Sequence, residues 1–516
     1  MSHVVLVASD HLGYRVLERL QQDGHSVSLV APAGSWLAET ELPAGVEIVR
    51  GRPAERRHLE AAGLARADAL LAVTERDDAN LAVALAAREA RADLRLVVRQ
   101  FDPRVSHLVA TQLGHCEAFG LSALAAPTFT RAALGPGIVY AHDLGDESVV
   151  VRECQLEEGR PQASERVVAV ADDADVRFFP AETPASGRAL VIGDGRALPP
   201  HPAAAAHAPL SPPPDPDPNR RVLAGVLVAL ALLVGGSALF FHAHLGLAPL
   251  DAVYFVVTIV TSVGFGDFNL RDADALSKLV GILLMFSGVM LSAALFGLVT
   301  NLLLARQQAS QRGRMRSRLS GHVVVCGLGN VGFRVCQALR SLGQEVLALE
   351  ANEDGRFVGE ARRLGVRVVV GDGKRDEALA WASLDTARSL VIATGHDQLN
   401  LEIALHARGL VDGLPLVLRL FDPELAGRLA ARFGRVQAFS TASLVAARFA
   451  SAAVGEHRLV GLRFAGRAWS LRLDPAGVRG PGHPLAAVSA EGRLDLTPGA
   501  AGAAAGSCLY VEIETP

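Results

Sequence analysis

Two kinds of apolar pattern alternate along the chain. Over residues 1–140 and 321–450, short Val/Leu/Ile-rich runs alternate with Ala/Leu/Arg stretches. That is the pattern of buried parallel strands with helices on both faces of a sheet. Between these regions, residues 222–241 carry no charge and are long enough to cross a ~30 Å hydrocarbon core as a helix. Residues 279–304 form a second such run, with Ser287, Ser292, Thr300 and Asn301 as its notable polar interruptions. Residues 250–260 are apolar but too short to span, which predicts a re-entrant helix buried in protein. Asp251 near its start suits the positive end of the helix dipole, so the negative end points toward residues 261–267.

The two outer regions are copies of one another. Thr74-x-x-Asp77-x-x-Asn80-Leu81 recurs as Thr394-x-x-Asp397-x-x-Asn400-Leu401, and Arg99-x-Phe101-Asp102-Pro103 as Arg419-x-Phe421-Asp422-Pro423. Ala118-Phe119 recurs as Ala438-Phe439, always at a spacing of 320 (394 − 74, 421 − 101, 439 − 119). A constant offset over so many positions marks an internal duplication.

In the second copy, His322-Val323-Val324-Val325-Cys326 predicts a strand that runs into Gly327-Leu328-Gly329-Asn330-Val331-Gly332 and then a helix to Leu342. This is a dinucleotide fingerprint in its proper context. Gly327 makes the tight turn, Gly329 lets a phosphate approach the backbone, and Gly332 lets helix and strand pack closely. The phosphate would then meet free amides at a helix N-terminus. Glu350 ends the next strand, 18 residues past Gly332 (350 − 332), where it can hydrogen-bond ribose hydroxyls and disfavour a 2′-phosphate. In the first copy, Ala8 and Asp10 stand in place of Gly327 and Gly329, Ala31 in place of Glu350 and Arg52 in place of Asp372. A carboxylate at Asp10 repels phosphate and can cap its own helix. The first copy is thus expected to keep the fold and to have lost dinucleotide binding.

Between the re-entrant helix and the second span lies Thr261-Ser262-Val263-Gly264-Phe265-Gly266-Asp267. Gly264 and Gly266 lack Cβ and can turn successive carbonyl oxygens toward one axis. Four such strands, with the Ser262 hydroxyl, would replace the hydration shell of a potassium ion. The segment resembles the selectivity filter of tetrameric potassium channels, usually Thr-Val-Gly-Tyr-Gly-Asp, with Phe265 for tyrosine and Ser262 for threonine. Outer helix, pore helix, filter and inner helix come in that family's order. Gly288, near the middle of the second span, resembles the family's gating hinge, although close packing would equally call for a glycine.

A pore joined to duplicated domains of this kind resembles the RCK (TrkA-N) potassium channels. The resemblance implies a homotetramer whose cytoplasmic α/β Rossmann-like domains pair, form a ring and pull on the inner helices when ligand binds. It assigns Thr394, Asp397 and Asn400 to the family's fourth-strand motif and Asp372 to its third-strand acid. With Gly327, Gly329, Asn330, Gly332 and Glu350, these form the expected site for an adenine nucleotide or NAD(H). One such domain before the pore and one after departs from the commoner single C-terminal domain.

The expected layout is an N-terminal RCK domain (1–140), a small lobe (141–200) and a Pro-rich linker (201–219). After these come a two-helix pore (220–305), a basic linker (306–320), a second RCK domain (321–450) and a second lobe (451–516). Arg220 and Arg221 precede the first span; Arg306, Arg312, Arg314, Arg316 and Arg318 lie beyond the second. By the positive-inside rule both ends are cytoplasmic, in a cell membrane expected to be a bacterial inner membrane. The first span is neither N-terminal nor succeeded by a cleavage site, which argues against a secretory signal.

Composition adds little. The 516 residues carry a formal net charge of −4, which gives no reason to expect nucleic acid. Cys116, Cys154, Cys326, Cys336 and Cys508 show no metal spacing and read as reduced thiols. No metal site other than potassium in the filter is expected, and His242-x-His244 reads as a surface loop outside the membrane. Three other classes compete. An NAD-dependent oxidoreductase needs an acid or base beside the nicotinamide, and only His457 and His483 come after residue 450. A non-conducting regulator would not carry its own filter. A non-selective cation channel of the same architecture is the alternative that Ser262 leaves open.

Overall fold

A computed structural model describes the chain except residues 146, 158–160, 163, 173, 174, 197, 202–209, 211–217, 312–318, 476, 477, 479–481, 490, 498–506 and 514–516. Most of the Pro-rich linker and Arg312, Arg314, Arg316 and Arg318 of the basic linker therefore lie outside the described residues. The chain forms two compact units: residues 1–210 with 316–516, and residues 211–315.

In the first unit the duplication is visible strand by strand. The first copy runs β1 (His3–Val7), α1 (His11–Gln22), β2 (Ser26–Ala31), α2 (Trp36–Glu39), β3 (Glu47–Arg50) and α3 (Arg56–Ala61). It continues with β4 (Ala69–Ala72), α4 (Asp77–Ala90), β5 (Arg95–Arg99), α5 (Pro103–Leu113), β6 (Cys116–Phe119) and α6 (Leu121–Leu134). Its parallel sheet has the order β3-β2-β1-β4-β5-β6, the doubly wound arrangement with its switch point between β1 and β4.

After the membrane segment the second copy repeats this as β12 (Val323–Cys326), α10 (Asn330–Ser341), β13 (Val346–Glu350), α11 (Val358–Arg363), β14 (Arg367–Val370) and α12 (Asp376–Trp381). Then come β15 (Ser389–Ile392), α13 (Asp397–Leu410), β16 (Leu416–Arg419), α14 (Pro423–Arg432), β17 (Val436–Phe439) and α15 (Thr441–Ala453). Its order is β14-β13-β12-β15-β16-β17, and the register agrees too: Val7 pairs with Ala72, and Cys326 with Ile392.

The two copies are joined by exchange of their last helices. α6 packs on α10 of the second copy, and α15 packs on α1 of the first. Both exchanged helices are apolar on nearly every side, as a helix buried between two bodies must be. Phe119 meets Phe449 at 5.5 Å and Phe439 meets Phe129 at 5.4 Å, two contacts related by the 320-residue offset (439 − 119, 449 − 129). One continuous core therefore contains residues of both copies.

A small antiparallel lobe comes after each copy. The first is β7 (Ile138–Leu144), β8 (Glu147–Gln155), β9 (Glu165–Ala171), β10 (Val176–Phe178) and β11 (Arg188–Gly193). The second is β18 (Arg458–Phe464), β19 (Arg467–Asp474), β20 (His483–Val488), β21 (Leu494–Asp495) and β22 (Ser507–Ile513). The lobes touch: Arg166 donates to the Leu485 carbonyl at 2.8 Å, and Glu147 accepts from the Leu494 amide at 2.8 Å. Arg458 in turn bridges to Asp23 of the first copy at 2.9 Å.

The second unit has the expected order. α7 (Pro218–Leu245) and α9 (Ala275–Gln311) are long and apolar enough to cross a membrane, with α8 (Pro249–Val260) between them. Two boundaries move. α9 continues through 306–311, expected in the linker, because that stretch holds no Gly or Pro to stop a helix. His242 and His244 lie on the last turn of α7, not in a loop.

Candidate functional site

In the membrane unit, Pro249 at the first position of α8 and Asp251 in its first turn start the helix where its dipole favours them. The helix ends at Val260, and the chain then leaves it through the filter segment. The Val263 and Gly264 amides both donate to the Thr258 carbonyl, at 3.0 and 3.2 Å, and the Thr261 hydroxyl donates back to Val257 at 2.7 Å. Gly264 (φ +53°) and Gly266 (φ +78°) have the left-handed backbone that glycine permits, and Ser262 shares it at +60°. All seven residues, Thr261 to Asp267, are exposed in the single chain.

Gly288 sits against the other end. A Cβ there would lie 3.0 Å from the Val260 Cα, and α9 passes through this position without a break. Ser292, one turn on, donates to the Val260 carbonyl at 3.5 Å. Gly288 thus packs closely where the second span crosses the end of α8.

In the α/β unit, Gly327 (φ +93°) turns the chain out of β12 beside Thr394 at the tip of β15. A Cβ at Gly327 would lie 3.0 Å from the Thr394 Cγ2. A Cβ at Gly332 would overlap the Gly327 carbonyl oxygen, whereas at Gly329 it would meet nothing within 4 Å. Gly332→Ala is therefore expected to cost roughly 1–3 kcal/mol and to lower the melting temperature of the full chain. Gly329→Ala should leave melting almost unchanged. Equal melting of the two variants would contradict this geometry.

Gly329 is the N-cap of α10, and no side chain caps that helix. Glu350 lies beside the loop, accepting from the Leu328 amide at 2.7 Å and from the Asn352 amide at 3.0 Å. Asp372 lies two residues beyond the end of β14 and accepts from the Lys374 amide at 3.0 Å. Burial, with Glu350 and Asp372 adding to it, pushes the Cys326 thiol up to about 12, so no reactive thiolate sits under the loop.

Thr394 and Asp397 are otherwise engaged. The Thr394 hydroxyl donates to Asn400 at 2.6 Å, and Asp397 accepts from the Phe421 amide at 2.8 Å. Thr74 with Asn80 and Asp77 with Phe101 make the same bonds in the first copy, at 2.7 and 2.9 Å. A bond set found in both copies, one without the fingerprint, belongs to the tie between neighbouring strand tips.

The first copy has filled its own anion site. Asp10 caps α1 by accepting from the Leu12 and Gly13 amides at 3.1 and 3.2 Å, and Arg99 pairs with its other oxygen at 2.6 Å. Arg419 holds the position of Arg99 in the second copy, where Gly329 offers no carboxylate. Its Nε is buried without a hydrogen-bond partner, and burial pulls the guanidinium below its ordinary value while Asp397 opposes this. Between the copies lies a cleft of about 340 Å3, lined by Arg99, Phe101 and Ser122 of the first and by Asn330 and Arg356 of the second. Phe101 reaches across it, packing on Phe357 at 5.4 Å and lying under Arg334 and Arg356, each at 5.1 Å.

Known proteins resemble the chain in both units. The TrkA-N domain family matches residues 4–115 and 323–439, and the ion channel family matches residues 227–305. TrkA-N domain matches thus lie on each side of an ion-channel match, the order expected of a pore between two RCK domains, and the oxidoreductase alternative falls away. An uncharacterized protein of Methanothermus fervidus is 29% identical over 41% of this chain and 33% of its own length. Potassium channel protein 1 of Methanocaldococcus jannaschii is 24% identical over 40% of this chain and 62% of its own. The chain thus spans between a third and two thirds of the length of these relatives. Among solved structures, the GsuK RCK domain superposes with a TM-score of 0.52 at 14% identity, covering 100% of this chain and 92% of that one. The GsuK channel bound to NAD superposes with a TM-score of 0.50 at 13% identity, over 99% and 76%.

Proposed function

We propose that the chain is a potassium-selective channel, homotetrameric in a cell membrane, with both α/β domains cytoplasmic and opening controlled by an adenine nucleotide or NAD(H). The observation that carries this is the Thr261–Asp267 segment, with left-handed Gly264 and Gly266, leaving α8 between two spanning helices. One chain supplies one wall of a pore, and closing a ring of carbonyls takes four. The names of the archaeal potassium-channel relatives support the same ion. In liposomes the protein should pass potassium far better than sodium. Equal permeability would favour the non-selective reading, with Ser262 in place of threonine as its cause.

The ligand assignment rests on the uncapped N-terminus of α10, the open space over Gly329 and the Glu350 carboxylate at the loop. A fold neighbour bound to NAD supports it. The second domain senses, and the first, whose amides are held by Asp10, braces it. Glu350→Ala and Asp372→Ala should shift nucleotide-dependent opening, whereas Asp10→Ala and Arg52→Ala should leave it nearly unchanged. Shifts of equal size from both pairs would mean that both domains sense.

A further inference from the structure

The chain approaches the membrane segment at residue 210 and returns from it at residue 319, and one turn holds both points. This is the 3-10 turn Leu384–Thr386 of the second α/β domain. The Leu210 amide donates to the Asp385 carboxylate at 3.3 Å, and the Thr386 hydroxyl donates to the Leu319 carbonyl at 2.9 Å. The Gly321 amide adds a bond to the Thr386 carbonyl at 2.8 Å. Leu210 and Leu319 both pack on the second domain's core.

The duplication supplies an internal control. The first copy has the same turn, Leu64–Arg66, but Ala65 and Arg66 stand where the second has Asp385 and Thr386 (385 − 320, 386 − 320). Arg66 there faces Glu47 at 3.8 Å. The two polar anchors thus occur only in the second copy, the one whose turn holds the Leu210 and Leu319 segments. Ser383, which precedes the turn, is held at φ +50° where the first copy has Gly63 at +84°, so this turn is kept even without glycine. An observed non-glycine residue in that region is a strain the surroundings must sustain.

We propose that Asp385 and Thr386 form a clamp that fastens both membrane-adjoining segments of this chain to the second domain. The proposal rests on the channel reading above. The outer helix is then led from the second domain as well as the inner one, although the linker before it comes after the first domain in sequence. A displacement of one domain loads both spans at a single point. Nothing comparable fastens the linker to the first domain's own turn among the described residues.

The test replaces the clamp with what the first copy carries: Asp385→Ala with Thr386→Arg in the full-length protein. These residues already sit on this turn in the same chain, so the variant is expected to fold. Hydrogen exchange at the Leu210 amide, read by mass spectrometry, should become roughly tenfold faster, the loss expected for one half-buried hydrogen bond. Asp385→Asn, which keeps an acceptor oxygen, should retain most of the protection. Open probability without nucleotide should shift in the double variant, while nucleotide affinity stays at the wild-type value. Unchanged exchange at Leu210 would overturn the clamp. Faster exchange with unaltered open probability would overturn its mechanical role. If the wild type conducts nothing, the channel reading fails, and exchange still decides the clamp.

Discussion

Gly264→Asp should abolish potassium flux through liposomes while the protein still inserts and assembles. Gly264 holds a left-handed backbone, which costs a side-chain-bearing residue on the order of 1 kcal/mol or more. Within one chain a Cβ there meets nothing within 4 Å, so the monomer itself gives no reason for misfolding. The damage is confined to the assembled pore, where four carboxylates would crowd one axis and bind cations instead of passing them. Comparing flux with oligomer mass on the same preparation separates the two effects. Residual current of wild-type size would move the ion path away from Thr261–Asp267.

Gly329→Asp should remove nucleotide binding without weakening the fold. The substitution reproduces the first copy, where Asp10 caps its helix and pairs with Arg99. A carboxylate at 329 would cap α10 and give Arg419 an acidic partner like the one Arg99 has. Capping favours the folded state by only a few tenths of a kcal/mol relative to glycine, so the melting temperature should stay level or rise slightly. Bound phosphate would then face a fixed negative charge in its own site, and affinity should drop by at least about a hundredfold, near 3 kcal/mol. Calorimetry with ATP and NAD would show this. Wild-type affinity in the variant would place the nucleotide elsewhere.

How far the sequence alone reached depends on whether a feature is local. The 320-residue offset, the glycine loop after β12 and the two spans are local patterns, and the structure has them where the pattern put them. Glu350 was readable as the acid ending β13, but its bond to the Leu328 amide needs the folded loop. Thr394 and Asp397 are assigned to the site from the family motif alone, and the bonds they make to Asn400 and to the Phe421 amide can be seen only in the folded domain. The Asp10–Arg99 pair spans 89 residues, and its closure is a matter of sheet order. The helix exchange left one unread signal, since α6 is apolar almost all round, more than one sheet face can cover.

That exchange has a consequence for biosynthesis. α6 ends at Leu134 and its packing partner α10 begins at Asn330, 196 residues later (330 − 134). At about 5–20 residues per second the ribosome needs roughly 10–40 s to bridge that gap. In that interval it also emits both membrane helices, which must leave for the bilayer. The first half therefore waits with Phe129 and its neighbours uncovered, a state open to chaperones and to α15 of another nascent chain. Polysomes that place such chains side by side would let one chain's exchanged helix pair with a neighbour's. Assembly would then begin before synthesis ends.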